Sequence, residues 1–197
     1  MKELEEQINE DVKKRLREKR YIHSIGVMEM AEELAKYYKL DTKRARLTGL
    51  AHDIAKHMTL EEVDAYTKQY NIKLDELEKA NNQLIHAKIG ADICKREYNF
   101  DEQMSNAILY HTTGHPNMDL MAKIIFIADK IEKTRSYEGV EELRKLAFID
   151  IDSAIIKIID FTTKKCINEE KLIHPNSIET RNKLLLGKKW NTSQKSL

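Results

Sequence analysis

Histidines and aspartates that directly follow apolar helical runs are the residues of this chain best suited to chemistry. His52-Asp53 ends the apolar run 47–51, and Asp129 ends the apolar run 124–128. Burying an imidazole beside a carboxylate is costly unless both find partners. A buried carboxylate in such a place usually has a cation nearby. Both positions therefore predict a buried cation site.

Three further histidines fall on other predicted helices, so that a metal site could form where the helices meet. His23, His86 and His111 each lie on a separate helical segment, as do His52-Asp53 and Asp129. Helical bundles build metal sites by projecting such ligands inward from several helices. Nitrogen and carboxylate ligands together favour iron, manganese or zinc over calcium. The two oxygens of Asp53 could bridge a pair of ions.

The elements that position these residues are expected to be helices. Apolar residues recur at three- and four-residue spacing almost throughout, which predicts an all-α chain. An opening helix is expected over residues 2–19. Asp41 and Thr42 should begin the helix that leads into His52. Thr59 with Glu62 fits a capping box, which predicts another helix start. Further helices are expected at 85–98, 102–112, 118–133, 139–147, 152–170 and 177–187.

The composition fits one helical domain and argues against several functional classes. A chain of 197 residues suits a single domain, and Gly (6) and Pro (2) are too scarce for a turn-rich β architecture. With 34 basic and 33 acidic side chains, the net charge of +1 offers no basic field for nucleic acid or an anionic membrane. The start is charged, and no apolar run approaches the ~18 residues of a membrane span. We expect a cytoplasmic protein with a domain over residues 1–187 and a polar tail over 188–197.

The order of these residues, His, then His-Asp, then His, His and Asp, resembles the signature of the HD superfamily of metal-dependent phosphohydrolases. More narrowly, four segments look like the YqeK-type symmetrical bis(5'-nucleosyl)-tetraphosphatases: His23-Ser24 with Val27, residues 49–56, residues 111–114 and residues 127–132. Residues 174–176 and 180–182 extend the likeness, which runs from about Tyr21 to Leu186. The resemblance implies a single HD-domain helical bundle with a buried di-metal site.

The resemblance also implies how the ligands divide between two divalent metal ions. One ion would be held by His23, His52, Asp53 and Asp129, and the other by Asp53, His86 and His111. Asp53 would be the bridge. Iron is the favoured metal, with manganese or another transition metal as the alternative. A metal-bound hydroxide would be the nucleophile, because the metals lower the pKa of bound water.

Side chains beside the ligands could contact a phosphate substrate. Lys56, expected one helical turn after His52 on the same face, could stabilise the negative charge that develops at the attacked phosphorus. Together with Asp53 it forms the predicted catalytic pair. Thr112 and Thr113, beside a predicted ligand, could donate hydroxyl hydrogen bonds to phosphate oxygens. These three residues, together with Arg135, are predicted to bind substrate.

Arg135 and several ring side chains are further candidates. Arg135 could grip a second phosphate in a bidentate way, or it could form a surface salt bridge to Glu132 or Glu138 instead. His115 follows a loop that should carry it away from the metals. Three tyrosines could stack on a nucleobase, although aromatics at helical spacing more often belong to a core: Tyr66, Tyr70 and Tyr110.

The implied activity is the hydrolysis of diadenosine tetraphosphate, and of related dinucleoside polyphosphates, symmetrically to two ADP. Composition and spacing alone support only metal-assisted hydrolysis of a phosphoester or a phosphoanhydride. The alternatives are another HD phosphohydrolase acting on nucleotides or guanosine polyphosphate alarmones, and a nucleotide-binding regulator. A regulator would be expected to have lost a ligand, and none of the six is missing. A homodimer is compatible with the chain, since symmetric association is common among soluble proteins.

Overall fold

The described part of the chain folds into helices alone, which confirms the all-α expectation. This computed structural model describes the backbone of residues 2–194 and the side chains of residues 2–81 and 83–188. The helices are α1 (Lys2–Arg15), α2 (Glu18–Tyr37), α3 (Thr42–Ala51), α4 (Leu60–Gln69), α5 (Glu76–Ala80), α6 (Asn82–Tyr98), α7 (Glu102–Tyr110), α8 (Leu120–Ile131), α9 (Val140–Ile149), α10 (Ile151–Asn168) and α11 (Pro175–Gln194).

Helix boundaries differ from the sequence expectation at three places, each for a local reason. The predicted helix 2–19 is two helices, because Arg17 is extended (φ −67°, ψ 151°) and α2 begins after it. Helix α5 has no predicted counterpart; the side chain of Asp75 caps it by accepting from Glu78 N at 2.8 Å. Helix α11 begins at Pro175, which suits a first turn, and runs on to Gln194. Residues 188–194 of the expected polar tail are therefore helical, and residues 195–197 lie outside the described chain.

The start of α3 is fixed by a cap, and this sets the position of the polar residues at its other end. The Asp41 carboxylate accepts hydrogen bonds from Lys43 N at 3.0 Å and Arg44 N at 3.1 Å, which satisfies two free amides of the first turn. The helix ends at Ala51, and His52 follows as its C-cap. The expected capping box of α4 is also confirmed, with Thr59 and Glu62 bonded reciprocally.

Two apolar clusters hold the helices together. The first surrounds α8, which buries apolar side chains on nearly every face and is therefore the central helix. The second joins α1, α3, α6 and α7 through fully buried aliphatic side chains, each of which contributes about 1.5–3 kcal/mol: Ile8, Leu50, Ile89 and Ile108. Helix α8 has only 12 residues. Within the described residues, no helix combines the length and the apolar character needed to cross a membrane.

Helices α2 and α3 approach each other closely at Gly49. A Cβ at this position would lie 3.0 Å from the carbonyl oxygen of Val27 and 3.1 Å from the Cα of Met28. Both atoms belong to the backbone of α2, so a larger residue would push the two helices apart. The glycine therefore brings α2, which carries His23, close to the end of α3, where His52 begins the polar cluster.

Candidate metal centre

The six side chains predicted as metal ligands lie in one buried cluster. None exposes more than 6% of its surface, and they come from α2, α6, α8 and the ends of α3 and α7: His23, His52, Asp53, His86, His111 and Asp129. The ring centroids of His23, His52, His111 and His86 follow one another at 5.3, 5.1 and 5.0 Å. We call these four imidazoles the histidine row, which has a His23 end and a His86 end.

His52 and His111 are oriented in the same way by the helices that precede them. Each is a C-cap residue, where backbone carbonyls lack partners within the helix. His52 Nδ1 lies 2.7 Å from the carbonyl oxygen of Gly49, and His111 Nδ1 lies 2.6 Å from that of Ile108. A carbonyl can only accept, so each Nδ1 donates and each Nε2 keeps its lone pair. The Nε2 atoms face the cluster, as the nitrogens of metal-binding histidines do.

His23 is oriented by Glu132, a residue that the sequence analysis did not select. Glu132 is fully buried, and its Oε1 accepts from His23 Nδ1 at 3.0 Å. Burial would raise the pKa of Glu132, but the bonds from His23 and Thr134 lower it, so the residue is a carboxylate. Such a carboxylate behind a histidine fixes the ring and raises its basicity. Its sequence signals are its position three residues after Asp129 and its place in the segment 127–132 that resembles the family.

Asp53 stands in the middle of the cluster and faces both ends of the row. Its Oδ1 lies 3.0 Å from His86 Nε2 and 3.7 Å from His111 Nε2. Its Oδ2 lies 3.3 Å from His52 Nε2 and 3.9 Å from His23 Nε2. Burial alone would raise the pKa of Asp53, but the imidazoles that surround it, His52 foremost, hold it well below its usual value. The side chain is therefore an ionised carboxylate with one oxygen toward each end.

Asp129 closes the His23 end. Its Oδ1 lies 2.9 Å from His23 Nε2 and 3.8 Å from His52 Nε2, and its Oδ2 accepts from Lys130 Nζ at 2.5 Å. Burial would raise the pKa of Asp129, but Lys130 and the bond from His23 hold it well below its usual value. It therefore contributes a second fixed negative charge.

Three cations border the two carboxylates: Lys130 beside Asp129, as described above, and two arginines. Arg20 Nη1 donates to Asp53 Oδ2 at 2.9 Å, and Arg135 Nη2 donates to Asp129 Oδ1 at 2.9 Å. Arg135 Nε also lies 3.6 Å from Glu132 Oε1, so the salt bridge weighed as its alternative role is present. Arg20 and Lys130 were not selected from the sequence. The signal for Arg20 is its place one helical turn before His23, on the same face of α2.

Lys56 reaches the cluster, but not by the backbone path that the sequence suggested. After α3 the chain turns with bonds from Ile54 N to Ala51 O (3.0 Å) and from Lys56 N to Asp53 O (2.8 Å), so no helical turn follows His52. The expected helical position is therefore wrong. Lys56 Nζ instead lies 3.3 Å from both ring nitrogens of His86. Burial lowers its pKa, and Arg20 lowers it further.

The two threonines after His111 differ in direction. Thr112 Oγ1 lies 3.2 Å from His111 Nε2, at the edge of the cluster. Thr113 Oγ1 donates to the carbonyl oxygen of Gly114 at 2.9 Å, within its own loop. Only Thr112 therefore contacts a residue of the histidine row.

The cluster fits divalent metal ions. Among the described residues, the buried atoms His52 Nε2 and Asp53 Oδ1 form no hydrogen bond of good geometry, although His86 Nε2 lies only 3.0 Å from Asp53 Oδ1. Two triads have ligand atoms within 4.8 Å of one another, His23 with His52 and Asp129, and His52 with Asp53 and His111. All three residues of the first triad belong to the ligand set expected for one ion. The second triad resembles the set expected for the other ion, except that His52 takes the place of His86. Imidazole nitrogens with carboxylates suit a transition metal.

Two pockets of about 340 Å³ each open near opposite ends of the row. The basic pocket includes His23 and is lined by Arg17, Lys19, Arg20 and Arg135. The aromatic pocket includes residues next to His86 and His111 and is lined by Ala87, Tyr110, Thr112, Thr113, His115 and His174. A larger cavity of about 630 Å³ lies between α1, α2 and α3, and none of the six predicted ligands lines it.

The remaining ring side chains lie outside the row. His57 Nδ1 accepts from Arg17 N at 3.1 Å, and His174 Nδ1 accepts from Asn176 N at 3.2 Å, at the start of α11. Tyr66 donates to Asp92 at 2.9 Å and packs against Tyr70, the residue after α4, and neither tyrosine lines the basic or the aromatic pocket. His115 and Tyr110 stack on each other and line the aromatic pocket.

Comparison with known proteins identifies the family. The HD domain family matches residues 20–134, which include all six predicted ligands. A Bacillus subtilis (strain 168) protein named symmetrical bis(5'-nucleosyl)-tetraphosphatase is 38% identical over 89% of this chain and 95% of its own. A Halalkalibacterium halodurans protein of the same name is 39% identical over 90% of this chain and 95% of its own length.

A solved structure has the same fold. The crystal structure described as a predicted HD superfamily hydrolase involved in NAD metabolism from Clostridium acetobutylicum matches with a TM-score of 0.87. It is 41% identical, and the match covers 91% of this chain and 96% of that chain. By the family match, by these relatives and by the shared fold, this chain belongs to the HD domain family.

Proposed function

We propose that this protein is a metal-dependent phosphohydrolase that cleaves diadenosine tetraphosphate, and related dinucleoside polyphosphates, symmetrically into two ADP. The observation that carries the proposal is the buried histidine row with Asp53 facing both of its ends. The substrate is supported by two relatives with 38% and 39% identity that are named symmetrical bis(5'-nucleosyl)-tetraphosphatases. Their similarity extends over nearly the whole of this chain.

The proposed ligand sets are those expected from the sequence. One ion would be held by His23, His52, Asp53 and Asp129, and the other by Asp53, His86 and His111. When bound, the two cations would supply Lewis acidity, lowering the pKa of water and neutralising charge on phosphoryl oxygens. We propose iron, with manganese as the alternative, because mixed nitrogen and carboxylate ligands suit both.

The side chains around the ligands would orient and stabilise the substrate. Lys56 reaches the His86 end of the row, where a cation would stabilise negative charge developing on the attacked phosphoryl group. Arg135 lines the basic pocket with about a third of its side chain exposed, so it could contact a second phosphate. Thr112 and Thr113 line the aromatic pocket and could donate hydroxyl hydrogen bonds there.

Symmetrical cleavage requires room for one half of the substrate on each side of the reacting phosphorus. The basic and aromatic pockets have similar volumes, about 340 Å³ each, and open near opposite ends of the row. A substrate that extends into both would place the middle of its phosphate chain near Asp53. This arrangement favours cleavage into two equal halves over removal of a terminal nucleotide.

The test is a product analysis. Protein loaded with iron or manganese is incubated with diadenosine tetraphosphate, and the nucleotides are separated by chromatography. We expect two ADP per substrate, and no product from Asp53→Ala. Asp64→Ala, which changes an exposed aspartate paired with Lys68, is the matched control and should retain activity.

Two results would contradict the proposal. Release of AMP and ATP would mean that the attack occurs at the wrong phosphorus for symmetrical cleavage. No turnover with either metal would exclude this substrate and favour another nucleotide, such as a guanosine polyphosphate alarmone, or a binding role. The cytoplasmic location and the lack of nucleic-acid binding expected from the sequence stay predictions, and so does the homodimer with which the sequence is compatible.

A further inference from the structure

The aromatic pocket contains a stacked pair of rings that the metal centre does not use. The rings of Tyr110 and His115 lie 4.3 Å apart with an interplanar angle of 11°, and both line the pocket. Tyr110 is the last residue of α7, and Gly114 then reverses the chain with a φ of +73°. A bond from Gly114 N to Tyr110 O at 2.8 Å closes this turn and brings His115 over Tyr110.

The loop that carries this pair is fastened to the start of α11. Ser177 Oγ donates to the carbonyl oxygen of Thr113 at 2.8 Å. Thr180 packs so closely that a Cβ at Gly114 would lie 3.0 Å from its Oγ1. The imidazole of His115 is itself held, because its Nδ1 accepts from Asn117 N at 3.1 Å. The stacked pair is therefore preorganised, which spares a ligand the cost of ordering it.

The rest of the pocket lining carries polar groups that suit the edge of a nucleobase. Glu78 is buried, and its carboxylate accepts from Lys88 Nζ at 2.5 Å and from Asp75 N at 2.8 Å. Asn176 and His174 also contribute to the lining, and His174 Nε2 lies 3.7 Å from Asp75 Oδ2. Flat ring surface combined with a few fixed donors and acceptors is how proteins recognise unpaired bases.

The pocket also adjoins the place where the phosphates would react. Thr112 lines it and lies 3.2 Å from His111 Nε2, and Ala87, which follows His86, lines it as well. Its volume of about 340 Å³ is at the small end of ligand pockets, which suits a single nucleoside. The lining of the basic pocket, by contrast, has four Arg and Lys side chains; its rings are the imidazoles of His23 and His57, and among the described residues it has no Tyr, Phe or Trp.

We infer that the aromatic pocket binds one purine nucleoside of the substrate, with the Tyr110–His115 pair as its stacking surface. The basic pocket then holds the other half of the substrate mainly through its phosphates. The inference deepens the proposed function and rests on it for the identity of the substrate. A chemically symmetrical dinucleotide would then bind unsymmetrically, because the base in the aromatic pocket contributes more affinity than the other base.

The experiment compares ADP with pyrophosphate, which has the same phosphates and no nucleoside, by direct titration of the metal-loaded protein. We expect His115→Ala to weaken ADP binding roughly ten-fold, the effect of losing one stacking contact. Pyrophosphate binding should change less than about two-fold, since a stacking contact involves no phosphate. His115→Phe keeps a flat ring and should restore ADP binding. Tyr37→Ala, which removes an exposed aromatic ring that packs edge-on against Phe148 and lines neither pocket, is the matched control.

The outcomes separate this inference from the proposed function. Equal ADP affinity in His115→Ala and the native protein would overturn the nucleoside site, as would an equal loss of ADP and pyrophosphate binding. If His115→Ala weakens only ADP binding but the native protein fails to convert diadenosine tetraphosphate to two ADP, the nucleoside site stands and the proposed function fails.

Discussion

The two ends of the histidine row use the same side chain in opposite environments. At the His23 end, burial lowers the pKa of His23, but hydrogen bonds to Asp129 and Glu132 outweigh burial and raise it. At the His86 end, burial dominates and lowers the pKa of His86 to about 4. An imidazole backed by two carboxylates therefore attracts a proton or a metal ion strongly. A buried imidazole without a carboxylate behind it stays neutral, with the lone pair of one ring nitrogen available.

Asp53 connects the two ends, and its removal should have the largest effect. Asp53→Asn keeps the shape of the side chain but removes the charge that faces all four imidazoles. We expect bound metal to fall from two ions per chain to fewer than one, and activity to fall more than about a thousand-fold. Metal analysis of the purified protein, together with the ADP assay, would measure both.

A variant at one end tests whether Asp53 is shared. His86→Gln should lower the metal content by about one ion and leave the other in place, since the carboxylates at the His23 end are untouched. Full retention of two ions in Asp53→Asn would contradict the view that this carboxylate serves both ends.

Lys56 is the cation that distinguishes the His86 end, and Lys56→Met should have the next largest effect. Methionine preserves much of the apolar stem and removes the charge. We expect kcat to fall about a hundred-fold, as when one fixed donor to a developing anion is removed, with the metal content unchanged. Lys68→Met, at an exposed lysine paired with Asp64, serves as the control. A loss of metal together with activity would instead mean that Lys56 supports His86 structurally.

Glu132 distinguishes the His23 end, and Glu132→Gln should weaken that end alone. Glutamine retains an oxygen for His23 Nδ1 but not the negative charge, so the imidazole becomes a poorer ligand. We expect the affinity of one metal ion to fall roughly ten- to a hundred-fold, and that of the other to stay unchanged. A competition titration with a chelator would resolve the two steps. Glu141→Gln, at an exposed glutamate, is the control, and equal weakening of both steps would argue against a separate His23 end.

The sequence is informative about the residues of the centre and less informative about what surrounds them. His52, Asp53 and Asp129 stand out because each directly follows an apolar run, where a polar side chain needs a partner. Glu132 has no such signal, because a glutamate at a helix end is usually exposed; only the packing of α2 against α8 buries it behind His23. The ion pair between Arg20 and Asp53 is likewise a tertiary contact.

The fold shows the same limit. Apolar spacing predicts the long helices, and the caps at Asp41 and Thr59 fix two helix starts. The apolar spacing does not show that the chain turns tightly after Ala51, because the pattern there is compatible with a continued helix. The sequence therefore predicts Lys56 at the site from an expected helical spacing, whereas the backbone that brings it there is a turn.

Two glycines, one near each end of the histidine row, give the test with the smallest expected effects on activity. A Cβ at Gly26 of α2 would clash with Glu132 Oε2, an oxygen that also accepts from Thr134 N at 2.6 Å. Gly26→Ala should therefore displace the carboxylate from His23 and reduce activity about ten-fold, near the lower limit for loss of such a supporting contact. The measurement is kcat for ADP release, with the metal affinity of the His23 end determined in parallel.

Gly90 of α6 is the matched position at the other end. A Cβ there would meet Ile108 and Ile54 at 3.6 Å and His52 O at 3.7 Å, which are ordinary contact distances. Because alanine fits and restricts the unfolded chain, Gly90→Ala should raise the free energy of unfolding by about 0.5–1 kcal/mol. Activity should change less than about two-fold, because the added methyl only fills space at an ordinary contact distance. Denaturant unfolding measures the first effect. A loss of activity in Gly90→Ala as large as that in Gly26→Ala would mean that any added methyl disturbs the row, and the contrast between its ends would then be unsupported.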